Sequence, residues 1–127
     1  MGIYEKAALK AAAQLRENKN ANPETIWKKA VAEFTDSVNS IYKGCPKNTF
    51  LGLLYAKKIQ GLESVSNILF VSKEQEYALK ACELLKEHPE HAAESRGKFW
   101  DRISHTAHQQ QLDVVFAFYN AGLLNLQ

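Results

Sequence analysis

The chain has 127 residues, 46% of them hydrophobic, and a formal net charge of +2. That is enough for one domain with its own core, and too near neutral for a global field that would draw nucleic acid or a membrane surface. No apolar run approaches the length of a membrane span, and Met1 to Ala13 mixes lysines and Glu5 with alanines, so the start reads as mature and not as a signal peptide.

Ile3, Ala7, Ala11 and Leu15 recur every fourth residue and predict an amphipathic, alanine-rich first helix. Asn22 is placed to cap a second helix, with Pro23 at its first position, where a missing N–H costs nothing. Trp27, Val31, Phe34 and Val38 form its apolar stripe, with a break near Asp36-Ser37 and a short helix reaching Tyr42. Lys43-Gly44 reads as a stop and Cys45-Pro46 as the next start. The following helix is expected to run to about Ile59. It is apolar on most sides, through Phe50, Leu51, Leu53, Leu54 and Tyr55, which predicts a central position. Gly52 and Ala56, four apart, leave room for another helix to approach closely.

Ile68-Leu69-Phe70-Val71 is an apolar run of β-type residues, read as a brief strand or as a loop pinned to the core. Ser72 with Gln75 matches a capping box that opens a helix with Tyr77, Ala81, Leu84 and Leu85 on its inner face, ended by His88-Pro89. Residues 89–97 form a polar connection with room for one helical turn. Phe99, Trp100, Ile103 and Ala107 mark a further helix, and Leu112, Val115, Phe116 and Tyr119 the last, closed by Gly122; the tail from Leu123 to Leu126 is expected to pack down. No repeat, low-complexity segment or interdomain linker is present. The predicted fold is a single, mainly α domain over residues 1–127: an irregular, orthogonal bundle of five to six short helices with room for a small β-like element near residues 65–71.

Four sets of residues carry candidate chemistry. Cys45 stands at a helix start between Lys43 and Lys47, a setting that favours a thiolate and would make it a nucleophile or redox-sensitive thiol; the alternative is a small capping residue. Cys82 reads as core filler. Two cysteines in separate segments fit a reducing, cytoplasmic compartment. Asp101, His105 and His108 would share one face of a helix and could hold a divalent metal, although surface histidines at this spacing are common. His88 and His91 repeat the spacing, but Pro89 speaks against regular helical geometry there.

The segment from Ser37 to Leu62 contains no acid and carries Lys43, Lys47, Lys57 and Lys58, which could meet phosphates. Against that reading, the helix between them is too apolar to enter a groove, the lysines sit at its ends, and near-neutral charge leaves little counterion release. Phe99 and Trp100 beside Arg96, Lys98 and Arg102 would form an interface anchor if exposed, since adjacent aromatics on a helix are not expected both to point fully inward; core is the default. Glycine-rich phosphate loops and Ser/His/Asp signatures are absent, and no cofactor is expected.

Gly44-Cys45-Pro46-Lys47 with Phe50-Leu51-Gly52-Leu53, then Tyr77-Ala78-Leu79-Lys80-Ala81, then Leu112-Asp113-Val114-Val115 with Gly122-Leu123, resemble a family of small bacterial α-helical proteins of unknown function. The resemblance covers most of residues 24–124. It implies a bacterial or phage-related origin and carries no activity or functional residue.

The leading expectation is therefore a non-enzymatic interaction or adaptor module that binds another protein or itself. A basic middle and an acidic stretch from Glu63 to Glu94 offer complementary surfaces for that. The alternatives are a cysteine- or metal-dependent enzyme built on Cys45 or on Asp101, His105 and His108, and a nucleic-acid accessory protein using residues 43–58.

Overall fold

Four aromatic rings, one from each of four helices, stack in series through the centre of the molecule. In a computed structural model that describes all residues 1–127, Tyr4 lies 6.3 Å from Trp27, Trp27 5.1 Å from Phe50, and Phe50 6.2 Å from Phe118, measured between ring centroids. The column joins α1 (Ile3–Glu17), α2 (Pro23–Ala32), α4 (Gly44–Tyr55) and α7 (Gln111–Asn120). Between them come the single-turn α3 (Val38–Ile41), α5 (Lys73–Glu87), a 3-10 turn over Pro89–Ala93, and the short α6 (Arg96–Asp101). Six helices of six residues or more and no sheet make the irregular α-helical bundle that the periodicity predicts.

α1 packs on α2 and α7, and α4 packs on α5, α7 and α2. The face that α1 buries is thin: Ala7, Ala8, Ala11 and Ala12 are sealed, with Tyr4 and Leu15 at its two ends. α4 and α7 bury nearly their whole circumference, which is why both lack a polar face in sequence. Asn22 Oδ1 accepts from the Thr25 N–H at 3.0 Å, with Pro23 in the first turn, as its local chemistry requires. Ser72 accepts from the Gln75 N–H at 3.0 Å, but Gln75 does not reach back to Ser72. Its Nε2 donates to the Gly52 carbonyl at 3.1 Å and ties α5 to α4 instead.

Several expectations change. α4 stops at Tyr55, not near Ile59, because Lys57 takes a left-handed conformation (φ 64°) and Lys58 N–H closes on the Leu53 carbonyl at 2.9 Å. Ile59 is thereby released to form an isolated antiparallel bridge with Leu124, which pins the C-terminal tail. Phe34 and Val38 leave the α2 stripe for solvent, since the helix ends at Ala32. No strand forms at residues 65–71. The helix expected through Ala107 ends at Asp101, because the Trp100 indole N–H donates to the Thr106 carbonyl at 2.7 Å and folds residues 102–108 back in turns.

Candidate functional site

Cys45 is the second residue of α4 and is half-buried. The helix N-terminus and Lys43 would favour a thiolate, yet the thiol is pushed up from its ordinary value. Burial is the main cause; the Glu74 carboxylate, reaching over from α5, adds a hydrogen bond and a like charge that outweigh Lys43. Burial first, and then this carboxylate from another helix, favour the capping reading of Cys45 over the activated thiolate. Cys82, in the core face of α5, is pushed up to about 11 by burial.

Lys43 finds its hydrogen-bond partner outside α4. Its Nζ donates to Gln110 Oε1, across a polar cleft of about 450 Å³ bordered by Gly2, Tyr4, Ser40 and Asp113. Gln110 precedes α7 in a left-handed conformation (φ 64°), uncommon for a residue with a side chain. Asp113 pairs with Arg96, which also reaches Glu5 at 3.3 Å and lies over the Phe116 ring, so one guanidinium links α1, α6 and α7. No sequence signal singles out Gln110 or pairs Arg96 with Asp113 and Glu5; their link is made only in three dimensions.

The metal face proposed for Asp101, His105 and His108 is not assembled, since only Asp101 is helical. Asp101 and His105 are exposed. His108 is half-buried, its ring 5.3 Å from that of Trp100, and its Nε2 accepts from the Leu112 N–H at 3.1 Å. It caps α7 as a neutral ring. Burial lowers its pKa, with Arg96 and Lys43 adding to the effect and Asp113 opposing it.

The four lysines do not form a patch. Lys47 pairs with Glu24 at 3.0 Å and Lys43 with Gln110, both at the start of α4, while Lys57 and Lys58 follow its far end, a helix length of roughly 18 Å away. Phe99 and Trp100 are both buried, so this pair forms no exposed anchor. α6 is short and covered on two sides: Phe99 meets Phe116 of α7 edge to face, and Trp100 meets Tyr77 of α5 in the same way.

A sequence profile described as a family of unknown function, DUF6979, matches residues 1–125. The chain belongs to DUF6979. No curated protein and no solved structure matches it. Membership agrees with the resemblance read from the sequence and, like it, carries no activity. No helix of this DUF6979 chain is long and apolar enough to cross a membrane.

The most exposed apolar surface of the DUF6979 chain lies between α4 and α5. Ile68 is 94% exposed, Leu69 85% and Val71 87%. Asn67 builds the turn that presents them: its carbonyl accepts from the Phe70 N–H at 3.2 Å and its Oδ1 from the Leu69 N–H at 3.0 Å. Phe70 points inward and meets Tyr55 at 5.2 Å, while Leu62 is sealed in the core. The turn is thus anchored at both sides, and its two central positions are Ile68 and Leu69. Turn centres usually carry Gly, Pro, Asn or Asp. The sequence holds this signal, but as an apolar run it reads equally well as a strand.

Proposed function

We propose that this chain is a non-enzymatic protein-interaction module of a bacterial cytoplasm, and that it docks through the 67–71 turn. The observation that carries the reading is the turn itself: three large aliphatic side chains, at 85–94% exposure, held outward by a tied backbone. Burying each in a partner would contribute about 1.5–3 kcal/mol, for roughly 60–120 Å² of apolar surface apiece. Together they supply roughly 200–350 Å², well short of the ~800 Å² per partner of a standard interface. A knob of that size suits a preformed apolar groove on another protein and is too small to hold two copies of this chain together. Glu63, Glu74 and Glu76 outnumber Lys73 beside the turn, which disfavours an anionic lipid surface. Two free cysteines with no bridge between them fit a reducing compartment.

The test places a photo-crosslinking residue at Ile68 in cells, then measures binding of the purified crosslinked protein to wild type and to a triple variant, I68S/L69S/V71S. The expected result is a monomer in solution whose affinity for that partner drops at least ~10-fold in the variant, about 1.4 kcal/mol. Equal binding by the two chains, crosslinks to lipid alone, or a stable homodimer that the variant abolishes would overturn the reading.

A further inference from the structure

We propose that His88, Glu90 and His91 form a solvent-facing site for a zinc-class transition-metal ion on the 3-10 turn that follows α5. The site lies at the opposite end of α5 from the 67–71 turn, and a helix of fifteen residues separates the two, roughly 22 Å.

A 3-10 turn has three residues per turn, so side chains at i and i+3 stand above one another. The His91 N–H donates to the His88 carbonyl at 3.0 Å and closes that turn, with Pro89 fixing its first position. Proline, which argues against a regular helix between the two histidines, is what brings them together. The two rings lie 5.6 Å apart, and one ligand atom from each of His88, Glu90 and His91 falls within 4.8 Å of the other two. His88 Nδ1 and Glu90 Oε1 are 3.3 Å apart. Donors that bind zinc tetrahedrally at about 2.0–2.1 Å stand roughly 3.3–3.5 Å from one another, so one edge of the polyhedron is already set. Rotation of the exposed His88 and Glu90 side chains toward the half-buried His91 closes the others.

A second observation concerns the ring of His91. Its Nδ1 lies 3.2 Å from Glu94 Oε1, and Glu94 is gripped by Arg102 through two hydrogen bonds of 2.8 Å each. A carboxylate that accepts a hydrogen bond from the Nδ1–H of an imidazole orients the ring and leaves Nε2 free to bind a metal. Two imidazoles and one carboxylate suit zinc, nickel or copper over magnesium or calcium. Three protein ligands leave a fourth position for water or for a side chain of another molecule.

The test uses the untagged full chain, dialysed against chelator and titrated with zinc sulfate by calorimetry. One ion per chain is expected, with no displacement by excess magnesium. His88→Ala and His91→Ala should each abolish the binding, while His105→Ala leaves it unchanged. Glu94→Gln should keep one site but weaken it about 10-fold. Circular dichroism checks that each variant keeps its helices. No zinc uptake by the wild type, or uptake that survives both His88→Ala and His91→Ala, would overturn the proposal.

Discussion

Gly52 of α4 faces Gln75 of α5 so closely that a Cβ on the glycine would stand 2.8 Å from the Gln75 Cα and 2.8 Å from its Cβ. The contact is to backbone, so no side-chain rotation relieves it. It is also what lets the Gln75 amide reach the Gly52 carbonyl. Gly52→Ala should therefore destabilise the chain by about 1–3 kcal/mol through overpacking, less a helix-propensity gain of at most about 1 kcal/mol. Gly97, with open space where its Cβ would lie, is the control: Gly97→Ala should raise stability by up to about 1 kcal/mol. Urea unfolding of the two variants decides the matter.

His108 caps α7 only while its Nε2 is unprotonated. Its folded pKa is depressed below the ordinary 6.5, chiefly by burial. The unfolded chain therefore takes up the proton first as pH falls. The stability linked to this group is complete above about pH 6.5 and is lost as pH drops below that value through the folded pKa. His108→Ala should cost about 1 kcal/mol near neutrality through loss of the cap and should flatten the profile below about pH 6.5. Thermal melts of both chains across that range test it.

Cys45 should alkylate slowly near neutral pH, and more slowly than a free thiol, because burial and Glu74 hold it protonated. Glu74→Gln removes the opposing charge and should speed the reaction. Cys82, with a pKa of about 11, should stay unreactive in the folded chain. Rates followed by mass spectrometry against pH separate the two thiols. A Cys45 that titrates below the free-thiol value would contradict the geometry.

The indole N–H of Trp27 is sealed in the core with no hydrogen-bond partner. An orphaned buried donor costs about 1–3 kcal/mol. Trp27→Phe removes it while keeping a ring between Tyr4 and Phe50, so the variant should lose less than about 2 kcal/mol, where Trp27→Ala should lose about 3–5 kcal/mol. Chemical denaturation with matched baselines reads the difference.

Sequence disclosed those features whose causes lie within a few residues. Asn22 and Pro23 start α2 by their own chemistry, and the Gly52–Ala56 strip announces a close helix neighbour. Where a distant residue decides, the local pattern leaves the alternatives open. Glu74 sits across from Cys45 only once α4 and α5 have packed. The Trp100–Thr106 hydrogen bond unwinds what periodicity takes for helix and scatters Asp101, His105 and His108. Phe99 and Trp100 are both inside because α6 is covered from two directions, a circumstance that no helical wheel contains. His88 and His91 were legible as a pair. Their proline reads as a helix breaker, although it can equally begin a tighter turn.

The alanine face of α1 has a consequence for synthesis. α1 leaves the ribosome well before α7, one of the two helices it covers, which begins only at Gln111. At translation rates of about 5–20 residues per second, the wait lasts on the order of ten seconds. A leucine-rich helix would spend that time as a target for chaperones and aggregation. Four sealed alanines, with Leu9 the one large aliphatic residue between Tyr4 and Leu15, leave the nascent segment with little to adhere by, while remaining the residue type that holds a lone helix best.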